Sequence, residues 1–115
     1  MFPKTNIKFL LHPDGTNELL EDMHVEWNGC RVTVPMGFQC DGSTIPRFFW
    51  RVCGGPRLHE NLLAGTFHDF LYANHLYSRK NCDELFYRAL RSLGKPWIIA
   101  KLMYHAVRIF GKSHY

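Results

Sequence analysis

The sequence predicts an α+β fold, with antiparallel β-hairpins in residues 1–35, an ordered loop over 36–57 and a layer of three helices over 58–111. Three observations carry that prediction. Apolar and polar residues alternate on both sides of Asn28-Gly29, periodicity disappears between Met36 and Arg57, and 3.6-residue apolar spacing then runs nearly to the end. At 115 residues and 46% hydrophobic, the chain can close one core and reads as a single domain over 1–115.

The strands come first. Ile7 to Leu11 is an apolar run that stops at His12-Pro-Asp-Gly, a turn in which Gly15 tolerates positive φ. Val25 and Trp27 alternate with polar neighbours, Asn28-Gly29 fits a two-residue type I′ turn, and Cys30, Val32 and Val34 alternate again until Pro35. The segment from Met36 to Arg57 is too rich in Phe38, Ile45, Phe48, Phe49 and Trp50 to be disordered, so a packed loop is expected. The first helix is expected from about Leu58 to His75. The second starts after Ser78, a good N-cap, and ends near Leu93-Gly94. The third opens at Pro96 and closes at Gly111.

Composition excludes several classes. Disorder is excluded by the apolar content, and the stretch Trp97 to Phe110 is interrupted by Lys101, His105 and Arg108, so no transmembrane span is expected. Met1-Phe-Pro-Lys-Thr-Asn leads straight into the first apolar run, and no cleavable signal peptide is expected. Acids and bases cancel in residues 1–57, and residues 58–115 supply the net charge of +4. These bases are spread along helices without a basic-aromatic cluster, which argues for solvated helix faces and against specific nucleic-acid binding. Cys30, Cys40, Cys53 and Cys82 include no C-x-x-C pair, so reduced thiols acting as small apolar residues are expected rather than a zinc site.

One constellation could carry chemistry. Asn61, Ala64, Gly65, His68, Tyr72 and His75 share a face of the first helix, with room at Ala64 and Gly65 for a backbone or ligand. On the second helix, Asp83 lies in register with the inward stripe Phe86, Tyr87 and Leu90. A carboxylate facing the core needs a cation or several donors, and His68 on the antiparallel neighbour is the natural partner. Such a pair fixes one imidazole nitrogen and leaves the other as a positioned base, unless it is only a structural tie. Asp69 points elsewhere around the helix and could bind Ca²⁺, with carbonyls from Asp41-Gly42-Ser43 or Cys53-Gly54-Gly55-Pro56 completing the shell. Ser43 and Thr44 are weaker nucleophile candidates, because no Gly-x-Ser-x-Gly elbow surrounds them. His12, His24, His59, His105 and His114 show no ligand spacing.

Two resemblances follow from these residues. Phe67-His-Asp-Phe-Leu-Tyr-Ala-Asn74, followed by Asn81-Cys-Asp-Glu-Leu-Phe-Tyr-Arg-Ala-Leu90, resembles the active-site helix pair of secreted phospholipases A2. The likeness implies His68 as general base, Asp83 as its orienter, Tyr72 as a supporting tyrosine and Asp69 as a calcium ligand. The tyrosine- and cysteine-flanked glycine loop of the animal enzymes is absent, as are the cysteines that staple their helices. Val34-Pro-Met-Gly-Phe-Gln-Cys-Asp-Gly-Ser-Thr-Ile-Pro-Arg-Phe-Phe-Trp, His68-Asp-Phe-Leu-Tyr, Ser78-Arg-Lys-Asn-Cys-Asp-Glu-Leu-Phe and Leu93-Gly-Lys-Pro-Trp together resemble a small tailed-phage and prophage family catalogued as a domain of unknown function. That likeness implies a viral source, synthesis in the host cytoplasm and incorporation in the virion. It also brings Asp41 forward, either as a second metal ligand or as a cap of its own loop.

Two functional expectations result. The first is a calcium-dependent ester hydrolase acting on phospholipid, with the third helix, apolar at Trp97, Ile98, Leu102 and Met103 and basic at Lys101, Arg108 and Lys112, against the headgroups. The second is a non-catalytic virion or assembly component that binds other phage proteins through Phe48, Phe49 and Trp50, flanked by Arg47 and Arg51.

Overall fold

The computed structural model describes residues 1–41 and 46–115, with the backbone alone at Ser113 and His114. Its order is β1 (Phe9–Leu11), β2 (Asn17–Leu19), β3 (Met23–Trp27), β4 (Cys30–Val34), β5 (Gln39–Cys40), α1 (Trp50–Cys53), α2 (His59–Asn74), α3 (Arg79–Ser92) and α4 (Trp97–Phe110). Short 3-10 turns at Arg47–Phe49 and Gly111–His114 lead into α1 and follow α4. The α+β architecture is as expected, sheets first and helices after.

Two sheets form the N-terminal half. β3 and β4 make the expected hairpin, pairing Met23 with Val34 and Trp27 with Cys30. Asn28 and Gly29 both take positive φ, 45° and 77°, as a type I′ turn demands. The alternation buries Met23, Val25 and Val34 but leaves Cys30 exposed, because Cys30 ends the ladder next to the turn. The other sheet has the order β1-β2-β5, all antiparallel. Its β2 and β5 are too short to show a sequence period, yet they set Asn17 opposite Cys40.

The helices match their signals closely. Ser78 caps α3 by accepting a hydrogen bond from the Asn81 amide at 3.2 Å, and Gly94 stands beyond its end at φ 93°. The supposed loop over 36–57 differs: it contains β5, a 3-10 turn and α1. A four-residue helix spans about one turn, too little for helical periodicity to register in sequence.

Leu19, Met23, Val25 and Val34 pack beneath Leu63, Phe67 and Leu71 of α2, and Leu90 of α3 and Val107 of α4 continue the same core. Phe67 is wholly buried with Trp27 edge-on at 5.6 Å, and burying such a ring contributes about 2 kcal/mol. α4 turns Ala100, Met103, Ala106 and Val107 inward, while Trp97 and Ile98 remain 60% exposed. The apolar stripe expected on this helix is therefore split: Met103 is core, and the bulky pair at its start faces outward. Tyr87, expected in the inward stripe of α3, is half-buried and sits edge-on to Tyr104 at 6.3 Å. No helix among the described residues is long and apolar enough to cross a membrane.

Candidate functional site

α2 and α3 run antiparallel across residues 75–78, which brings His68 and Asp83 face to face. His68 Nε2 lies 2.7 Å from Asp83 Oδ1, with both side chains buried. Tyr72, one turn after His68, donates its hydroxyl to the same Oδ1 in a short hydrogen bond. Asp83 Oδ2 accepts from Arg108 Nη1 on α4 at 2.9 Å. The buried carboxylate thus has three donors from two helices. Burial alone would raise its pKa, but the hydrogen bonds from His68, Tyr72 and Arg108 outweigh it and hold Asp83 below the usual carboxylate range. Burial and the neighbouring Asp83 together push the Tyr72 hydroxyl up, so it stays protonated and donates.

The ring of His68 lies between Tyr72 and Phe86, with centroids at 4.2 and 4.7 Å. Only 1% of the residue is exposed, yet it lines a small cavity of about 30 Å³ shared with Asn17, Cys40, Asn61, Gly65 and Asp69. The predicted base, orienter and supporting tyrosine are therefore in contact, and the base borders an internal space.

Asp69 and Asp41 converge electrostatically on Cys40. That thiol is raised to about 11, chiefly by burial; hydrogen bonds with Thr66 and Asn17 oppose the rise, and both carboxylates add to it. A calcium ion takes six to eight oxygen ligands. Among the described residues, no group of three or more His, Cys, Asp or Glu side chains is placed to hold a metal. The carbonyls of the glycine loop are engaged. Cys53 O accepts from Asn61 Nδ2 and from the buried ammonium of Lys95, and Gly55 O accepts from Asn61 Nδ2. Of the two loops expected to complete a calcium shell, 53–56 is committed to these donors. Residues 42–45 of the other, including Ser43 and Thr44, lie outside the described residues.

Three participants escaped the sequence. Arg108 was expected at a lipid-facing surface; it points instead at Asp83, since a buried anion attracts the nearest cation. Cys40 and Asn17 arrive from β5 and β2, whose pairing has no sequence signal. Asn61 was legible as a face-mate of His68, but its role was not: it fastens the loop after α1. The remaining histidines among the described residues make ordinary contacts, as expected; His24 meets Thr33 and His59 meets the Thr5 carbonyl.

A family profile described as "Protein of unknown function (DUF1353)" matches residues 17–107. The chain is also similar to "Uncharacterized protein y4jT" of Sinorhizobium fredii (strain NBRC 101917 / NGR234), at 36% identity over 84 residues, 73% of this chain and 25% of the relative. The chain thus spans about a quarter of that relative's length. No solved structure matches it.

Proposed function

Because the chain belongs to the DUF1353 family of proteins of unknown function, we propose, from its own geometry, that it is a hydrolase with a phospholipase-A2-like site, acting on a carboxylic ester of a lipid, and, from its sequence resemblance alone, that it is phage-encoded. One observation carries the reading: His68, held at 2.7 Å by Asp83, borders a cavity that Asp69 also lines. With Nε2 facing Asp83, Nδ1 is the ring nitrogen that would take a proton from water. Asp83 keeps the ring in that orientation and offsets the imidazolium charge that follows, while Tyr72 and Arg108 keep Asp83 ionised and oriented. Asp69, with Asp41, would hold calcium, and the ion would supply stabilisation for the oxyanion.

The test is hydrolysis of phospholipid vesicles by the parent and by His68→Gln, with millimolar calcium and with a chelator. Activity that disappears in the variant supports the base, and activity that disappears on chelation supports the cation. Inactivity of the pure, folded parent in every condition overturns the hydrolase.

A specific observation favours a second reading. Phe48 is 71% exposed beside Phe49 and Phe110, with Arg47 and Arg51 exposed around it. Exposed aromatics among arginines suit a protein contact, as in a virion or assembly component. An inactive parent that co-purifies with phage particles, and loses that association in Phe48→Ser, would support it.

A further inference from the structure

Two asparagines in the wall of the His68 cavity are half-used. Asn17 is fully buried, and its Oδ1 accepts from Arg57 Nε at 2.7 Å, while its Nδ2 meets no oxygen or nitrogen acceptor and has only the Cys40 sulfur, a weak acceptor, beside it. Asn61 is 6% exposed, and its Nδ2 donates to Cys53 O and Gly55 O, both at 3.0 Å, while its Oδ1 has no partner. These bonds fix both amides, because flipping either would set donor against donor or acceptor against acceptor. What remains in one cavity is a donor short of a good acceptor and an unpaired acceptor. Buried polar groups are almost always satisfied, so such a pair calls for a guest.

Gly65 makes the same point from the other side. It sits inside α2, where glycine costs helix stability relative to alanine. Its φ is not in the positive range, and a Cβ placed there would meet nothing within 4 Å. Neither backbone conformation nor close packing requires a glycine; its absent side chain only leaves the cavity open.

We propose that this cavity is a binding site for a neutral amide group, which accepts from Asn17 Nδ2 and donates to Asn61 Oδ1. Trp50, Leu62, Phe86 and Met103 supply apolar wall, so the amide would be carried on an apolar body such as an acyl chain. Asp69 lines the cavity and both Asp69 and Asp41 bear on Cys40, a field that disfavours an anionic guest such as a free fatty acid. An ester offers acceptors only and would leave Asn61 Oδ1 unsatisfied. The space of about 30 Å³ takes the amide head, and the body would lie along the half-buried Trp50 and Leu62. As a statement about substrate, the inference rests on the hydrolase reading and adds that the lipid carries an amide near the scissile bond; as a statement about binding it stands alone.

The test uses the full chain, labelled with ¹⁵N, titrated separately with hexanamide, methyl hexanoate, hexanoate and hexanol. Saturable shifts of the Asn17 and Asn61 side-chain amides and of the Gly65 amide are expected with hexanamide, at an affinity about tenfold above the ester, the difference set by one buried group left unpaired. Gly65→Ala should melt at or above the parent temperature and lose hexanamide binding, since its methyl fills the space. His68→Gln should keep binding even where it abolishes hydrolysis, so the two proposals fail separately. No shift at these side chains with hexanamide would mean water is the only guest and overturns the proposal. Equal affinity for the ester, or undiminished binding by Gly65→Ala, would overturn it as well.

Discussion

Arg108 Nη1 stands 2.9 Å from Asp83 Oδ2, so α4 supplies the charge that α2 cannot give to an acid buried on α3. Arg108 is partly exposed while the Asp83 side chain is fully buried, and the two halves of the pair are therefore unequal. Removing the cation strands the buried anion with neutral donors. Arg108→Met should cost about 1–3 kcal/mol in urea unfolding, the range for leaving a buried group short of a partner. Combined with Asp83→Asn it should cost less than the two single changes added together, because the desolvated charge that needed Arg108 is gone. Simple additivity in that double-mutant cycle would mean the contact does not couple the helices.

The same network fixes a pH dependence. Asp83 has a folded pKa below its ordinary value. A depressed carboxylate adds stability above its unfolded pKa, near 4, and that contribution is lost as pH falls through the lower folded value. The part of the stability gap between parent and Asp83→Asn that comes from this carboxylate should shrink as pH falls below about 4. Thermal melts across that range measure it. Asp14 and Glu21 are also depressed, by Thr16 and Lys4 respectively, but both proteins retain them, and they cancel in the difference. A gap that widens on acidification would contradict the assignment.

What the sequence disclosed and what it hid divide along range of interaction. Asn28-Gly29, Ser78 and Gly94 act on their own neighbours, and their signals survive in isolation. His68, Tyr72 and Asp83 were legible because a helix period places them and a short connection forces their helices together. Arg108 was not, since an arginine near the end of an amphipathic helix reads as solvated until a tertiary partner is known. Asn17 was hidden more deeply: β2 and β5 are three and two residues long, and their register depends on the sheet rather than on alternation. Trp97 and Ile98 show the converse. Trp97, Ile98, Leu102 and Met103 were grouped as one headgroup-facing stripe, but Met103 packs inward with Ala100 and Ala106, and only the bulky pair at the start of α4 lies outside.

The glycine loop after α1 offers a sharper test of position. Gly54 has φ 86° and ψ 161°, and a Cβ there would sit 2.5 Å from Leu58 Cδ2 and 3.2 Å from Asn61 Nδ2. Gly55 has neither a positive φ nor a neighbour within 4 Å of a Cβ. Gly54→Ala should therefore lose about 1–3 kcal/mol through backbone strain and collision, whereas Gly55→Ala should stay within about 0.5 kcal/mol of the parent. Urea unfolding of the pair decides it. Equal effects would mean that the loop adapts and does not clamp Asn61.

Thiol reactivity separates the cysteines by burial. All four are free; Cys30 is exposed at the end of β4, and the other three are buried. Burial raises Cys40 and Cys82 to about 11 and also lifts Cys53, so these three hold little thiolate at pH 8 and little access to a reagent. Iodoacetamide should modify one thiol quickly in the native protein and none quickly in Cys30→Ser, with the remaining three reacting only in urea. Mass spectrometry of the native digest assigns the site. Fast modification of Cys40 in the folded parent would contradict the burial of its thiol beneath Asn17 and Thr66.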